Sequence, residues 1–140
     1  LKDRFGGHPL VDLETDVSSE ESLQSSAIMI SDWSGAALEY AFGLERPVIF
    51  IDVPRKVLNP DYEEISCVPV EVSLRDEIGA VVSVDALHEV PVQIERLLVD
   101  LGRQRERLRE LREKWVYNVG SSGGVAAKYV AQATDSSMTL

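Results

Sequence analysis

Ser31-Asp32-Trp33-Ser34-Gly35-Ala36-Ala37 sets two hydroxyls, a carboxylate and a glycine at the point where the apolar run Ala27-Ile28-Met29-Ile30 ends. A run of that length reads as a buried strand, and the residues after it are good helix starters. The first amides of a helix have no internal acceptor. Together with the helix dipole they favour a negative group by roughly 0.3–2 kcal/mol. Gly35 would let a phosphate reach the backbone without meeting a Cβ, and the small Ala36 and Ala37 keep the approach open. The same residue types also serve as plain caps, with Asp32 or Ser34 accepting from the helix amides, and the local sequence leaves both readings open. The stretch is neither a lysine-bearing phosphate loop nor a G-x-G-x-x-G turn, and Ser34 lacks the glycine pattern of a hydrolase nucleophile elbow.

Glu39 falls one to two turns into the expected helix, where its carboxylate could accept from a ribose or polyol hydroxyl or simply face solvent. Arg55 and Lys56 follow the next apolar run closely enough to close over phosphates at the same strand edge; a solvating role is the competing reading. His8, between Gly7 and Pro9, reads as a loop residue, as does His88 in the acidic stretch before Pro91. Cys67 reads as a small apolar residue.

These groups need elements to hold them. Alternation over Leu10–Glu14 predicts a strand, and Ser18 with Glu21 matches a capping box that opens a short helix. Ala27–Ile30 predicts a strand, and Ser34–Phe42 a helix with Gly43 as its left-handed C-terminal cap. Pro47–Asp52 predicts a central parallel strand covered on both faces. About fifteen residues separate the two strands, enough for the crossover helix of a βαβ unit and too many for a hairpin. Val53–Ile65, with Pro54 and Pro60, predicts a loop at the carboxyl ends of the strands, where ligands usually bind. Val68–Val72 and Ala80–Val84 predict two further short strands, joined through 73–79 by a helical turn or a loop. A single long helix is predicted from near Val92, with Leu97, Leu101, Leu108, Leu111 and Trp115 on its apolar stripe and six basic residues from Arg103 to Lys114 opposite. The Gly- and Ser-rich break over Asn118–Gly124 precedes a last helix through Val125, Ala126, Tyr129 and Val130, and 135–140 read as frayed.

Composition narrows the function. The 140 residues are 44% hydrophobic and 27% charged, the balance of one soluble globular domain. A net charge of -10 repels nucleic acid phosphate, so no nucleic-acid partner is expected. One cysteine excludes an internal disulfide and a multi-cysteine zinc cluster, and His8 and His88 are too far apart for a local metal motif, so neither metal nor cofactor is called for. No apolar run approaches the roughly 18 residues of a bilayer span. The basic face of the long helix is most simply solvated, or it touches an anionic membrane surface or a neighbouring domain. The chain opens on Leu1 without a signal-peptide core or an initiator Met, which reads as part of a larger protein.

Ala27-Ile28-Met29-Ile30-Ser31-Asp32-Trp33-Ser34-Gly35, followed by Glu39-Tyr40-Ala41 and Arg46-Pro47-Val48-Ile49-Phe50, resembles the C-terminal region of the CDP-glycerol glycerophosphotransferases, which build teichoic acid and related polymers of the bacterial cell wall. The likeness continues through Asn118–Gly124 and the last helix, and so spans most of the chain. It implies an α/β fold with a Rossmann-like parallel sheet and flanking helices, part of the C-terminal half of a GT-B enzyme. On that pattern 1–134 form the nucleotide-donor-binding domain and 135–140 a tail. Ser31, Asp32, Ser34, Gly35 and Glu39 would line the donor site, with the amides after Ser34 toward the pyrophosphate. Many members have a second serine where this chain has Gly35, so a hydroxyl contact is replaced by a backbone one. Members also carry upstream histidines important for catalysis, one of them in a His-Pro pair; the role is not carried over to His8-Pro9.

The expected reaction moves glycerol phosphate from CDP-glycerol to a polyol-phosphate or glycan acceptor, with the base supplied from outside this chain. The implied setting is cytoplasmic, peripheral at the inner face of the plasma membrane, beside the N-terminal half of the same enzyme. By itself the chain is expected to be inactive. A nucleotide-sugar glycosyltransferase of GT-B type and a non-catalytic flavodoxin-like interaction module are the alternatives.

Overall fold

The computed structural model describes residues 1–15, 20–55, 59 and 61–137. Among them β1 (Met29–Ser31), β2 (Val48–Asp52) and β3 (Gly79–Ser83) form one parallel sheet in that spatial order. Met29 pairs with Val48 and Ser31 with Phe50, while Val48 pairs with Gly79 and Asp52 with Ser83. The two strands of the expected βαβ unit are therefore parallel neighbours. Parallel strands need a crossover, and α3 (Ala36–Leu44) supplies it between β1 and β2. The result is a mixed α/β fold with a small open sheet flanked by helices, compatible with a Rossmann-like arrangement.

The apolar run of β2 follows from its position. Side chains alternate across a strand, and both faces of β2 are covered. Val48 and Phe50 pack with Tyr40, Ala41, Leu108 and Leu111 on one side, and Ile49 packs with Val82 and Leu97 on the other. Chain connectivity uses both faces. A helix α6 (Val90–Leu98) places Leu97 on the second side, and α7 (Leu101–Trp115) places Leu108 and Leu111 on the first.

That placement corrects the single long helix expected from Val92. The chain leaves helical geometry at Asp100 (φ −131, ψ 67), whose Oδ1 accepts from the Arg103 amide at 3.0 Å and starts α7. Leu97 and Leu108 cannot share one stripe because they serve opposite faces of the sheet. Leu101 and Trp115, expected in the core, are substantially exposed.

Two expected strands are corrected as well. Leu10–Glu14 is not a strand: Leu10 is 88% exposed and the sheet ends at β1, so among the described residues the segment finds neither a ladder nor a core face. Val68–Val72 is not a strand either, because the chain must return from the carboxyl edge of β2 to the start of β3. It does so through the helical turns α4 (Val70–Ser73) and α5 (Arg75–Ile78), with Pro69 at the start of α4 and Leu74 buried between them. The expected strand Ala80–Val84 is present as β3, one residue earlier at each end.

Gly43 does not cap α3 but lies within it, and Glu45 (φ 53, ψ 46) takes the left-handed position. A non-glycine residue there costs roughly 1–2 kcal/mol. Tertiary bonds offset that cost. Arg109 grips the Glu45 carboxylate through Nε at 3.2 Å and Nη2 at 2.7 Å, and Arg112 donates to it at 3.0 Å. Arg112 also donates to the Phe42 carbonyl at 2.8 Å, satisfying the end of α3.

The remaining α-helices among the described residues are peripheral. These are α1 (Lys2–Phe5), α2 (Glu21–Ser25) where the short helix was expected, and α8 (Ser122–Ser137). Ser18, the expected capping-box residue, lies outside the described residues. The expected frayed segment begins at 135, whereas α8 continues to Ser137 and 138–140 lie outside the described residues. α2 is tied to the core by the Tyr40 hydroxyl, which donates to the Ser26 carbonyl at 3.0 Å, and by Arg46, which donates to the carbonyls of Gln24 and Ser26. Among the described residues no helix is long and apolar enough to cross a membrane.

Candidate functional site

The carboxyl edge of β1 and β2 carries the candidate site, as the chain pattern requires. Ser31 is the last residue of β1, and Asp32–Gly35 form the short passage into α3. Gly35 already has helical dihedrals (φ −59, ψ −30), and a Cβ built on it meets nothing within 4 Å. The first amide of this helix with an acceptor is Ala37, bonded to the Ser34 carbonyl at 3.1 Å; Leu38 follows, bonded to Gly35 at 3.1 Å. Among the described residues the amides of Ser34, Gly35 and Ala36 have no acceptor, and neither Asp32 nor Ser34 contributes a side-chain cap. Asp32, Ser34, Gly35 and Ala36 are all exposed. The start of α3 therefore presents free amides to solvent, which suits an anion.

Trp33 organises the surroundings. Its Nε1 donates to the Val53 carbonyl at 2.8 Å, fastening the loop after β1 to the loop after β2. Two guanidinium groups lie over its ring, Arg75 at 3.9 Å and Arg55 at 5.8 Å from the centroid. Arg55 also lies 5.5 Å from the Tyr62 ring and borders a cleft of about 610 Å³ lined by Tyr62, Ile65, Cys67, Val68 and Pro69. Arg75 donates through Nη1 to Asp52 Oδ1 at 2.8 Å, at the end of β2. The loop Ser31–Gly35, the end of β2, Arg55 and Arg75 are thus held together around one indole.

Of the sequence-predicted residues, Ser31, Asp32, Ser34 and Gly35 share the loop, and Arg55 joins them through Trp33. Glu39 stands one turn on, exposed on the flank of α3 between a shallow groove with Leu38 and Phe42 and another with Leu23 and Tyr40. Lys56 lies outside the described residues. His8 lies in an exposed turn with its Nδ1 accepting from the Leu10 amide at 3.2 Å, and His88 is exposed. Cys67 is exposed rather than packed. Among the described residues no cluster of three or more His, Cys, Asp or Glu side chains is placed to hold a metal.

Sequence reasoning missed Trp33, Asp52, Tyr62 and Arg75 as members of the cluster. Trp33 carried a signal, an aromatic side chain within the Ser-Asp-x-Ser-Gly stretch. Arg75 carried none, because its burial follows from the turn between α4 and α5 and not from local periodicity. No family model matches the chain, and no curated protein or solved structure does either. The site is therefore read from its own geometry.

Proposed function

We propose that this chain is the donor-binding portion of a transferase that moves glycerol phosphate from CDP-glycerol to a polyol-phosphate or glycan acceptor in cell-wall polymer synthesis. One observation carries the reading: the free amides of Ser34, Gly35 and Ala36 stand at the carboxyl edge of a parallel sheet, beside a loop flanked by Arg55 and Arg75. Helix starts at such edges bind phosphate through amides and dipole. The motif's likeness to the glycerophosphotransferases supplies the donor class. In the proposed setting the sheet belongs to the C-terminal half of a GT-B enzyme, working at the cytoplasmic face of the membrane with the other half across a cleft.

In the reaction the acceptor oxygen bonds to the phosphorus bearing glycerol, the bond from that phosphorus to the CMP oxygen breaks, and the hydroxyl proton passes to a base. The reading assigns that base to the facing half. Here the Ser34 hydroxyl, the three amides and Arg55 hold the pyrophosphate and spread its charge.

Amide chemical-shift titration with CDP-glycerol and with UDP-glucose tests the reading. Saturable shifts at Ser34–Ala36, larger in affinity for CDP-glycerol and weakened about tenfold or more by Ser34→Ala, are expected. Preference for UDP-glucose would replace this donor with a nucleotide sugar. Silence from both ligands would reduce the domain to an interaction module.

A further inference from the structure

The Arg75 side chain is only 7% exposed. One of its nitrogens, Nη1, is bonded to Asp52, while Nε and Nη2 are buried with no acceptor among the described residues. Its Cζ lies 3.9 Å from the centroid of the Trp33 ring and 5.1 Å from that of Phe50, cation–π contacts that supply no oxygen acceptor. A buried donor left unsatisfied is costly, more so when charged, and native interiors rarely leave one without a reason.

The unsatisfied atoms are a matched pair. Nε and Nη2 form the side edge of a guanidinium, whose two parallel N–H bonds fit two oxygens of one carboxylate or phosphate. This protein uses that same edge elsewhere: Arg109 holds Glu45 through Nε and Nη2. At Arg75 the edge has no carboxylate to hold among the described residues. The guanidinium lies over the ring of Trp33, one residue before Ser34, where the free amides begin.

We propose that Arg75 is a concealed oxyanion-binding residue: when a phosphate group docks at the start of α3, Trp33 shifts and the Nε–Nη2 edge of Arg75 takes two of its oxygens. The proposal rests on the phosphate site of the preceding reading, but not on the identity of the donor. The concealment has a physical use. With Asp52 half exposed, Arg75 is held in place by one hydrogen bond, and the unmet donors make the free state less favourable than the bound one. Binding is thereby coupled to movement of the Trp33 loop.

The decisive measurement follows the Arg75 Nε–Hε resonance, assigned by its loss in Arg75→Lys, during titration with inorganic pyrophosphate and then with CDP-glycerol. The expected result is a saturating downfield shift with the same midpoint as the Gly35 amide. Arg75→Lys should weaken pyrophosphate binding about tenfold or more, since a point charge cannot replace the fork. Arg75→Met should abolish this contact while Tm stays level or rises, because a partly satisfied buried charge is exchanged for an apolar chain of similar reach; a strut of purely structural role would show the opposite. Pyrophosphate that moves the Gly35 amide and leaves Arg75 Hε unmoved, or moves neither, overturns the proposal. CDP-glycerol binding with Arg75 unmoved would overturn it too and leave the donor reading intact. Pyrophosphate capture by Arg75 with no added affinity for CDP-glycerol would uphold it and refute the donor.

Discussion

Replacing Gly35 with alanine should make the protein more stable and its phosphate site weaker. Gly35 sits at φ −59 and ψ −30, ordinary helical geometry for any residue, and its missing Cβ would meet open space. Alanine therefore removes conformational freedom from the unfolded chain without strain in the folded one, worth roughly 0.4–1 kcal/mol. An unfolding entropy of roughly 2.1 cal/mol/K per residue over 140 residues comes to about 0.3 kcal/mol/K. The gain should show as a Tm rise of about 1–3 °C. The same methyl group lies where a phosphate would approach the amides of Gly35 and Ala36. Losing one hydrogen bond from an amide to a charged group costs roughly 1.5–3 kcal/mol, or about ten- to more than hundredfold in affinity. Differential scanning calorimetry and isothermal titration with CDP-glycerol read the two effects on one sample. A Gly35→Ala protein that is stabilised yet binds with unchanged affinity would refute the argument that the ligand meets the backbone there. A lowered Tm would refute the account of the glycine's geometry.

Three further outcomes are expected from the scaffold. Gly79→Ala drives a Cβ into the Val48 carbonyl oxygen of the adjoining strand, so β2 and β3 must shift apart; a loss of about 1–3 kcal/mol or more in urea unfolding is expected. Leu108→Ala empties a buried position between α7 and α3 and should cost roughly 2–5 kcal/mol by the same assay, with retention of wild-type stability counting against this core. The Glu45 carboxyl is held below its ordinary value of 4.5 chiefly by its hydrogen bond from Arg109, with the charges of Arg109 and Arg112 adding to this against partial desolvation. A carboxyl depressed in the folded state contributes stability that is complete above its unfolded pKa and is lost as pH falls through the folded one. Glu45→Gln should therefore flatten the acid limb of stability, and an identical pH profile would exclude the Glu45–Arg109–Arg112 cluster as a source of acid sensitivity.

The amino-acid sequence alone determined the parts of the fold that depend on local pattern. Pro47–Asp52 is apolar at every position but the last and β-branched at Val48, Ile49 and Ile51, a run that suits a strand covered on both faces, so its central parallel place was legible. The spacing from Ile30 to Pro47 required a crossover helix, and the hydroxyls and glycine of Ser31–Gly35 marked where it begins. Tertiary structure decided what local pattern could not. The leucines from Leu97 to Leu111 have a helical period whether they lie on one helix or on two; Asp100 breaks it because the chain must pass from one face of the sheet to the other. Gly43 is a better left-handed residue than Glu45 by intrinsic preference, and two arginines of a distant helix reverse that preference. Val68–Val72 has strand composition, yet the return to β3 demands a turn. Arg75 looked like any charged residue in a polar stretch, and its meaning arises only when α5 packs it against Trp33 and Asp52, residues 42 and 23 positions earlier. A contact across such separations is set by how the elements pack, and no window of sequence around Arg75 contains it.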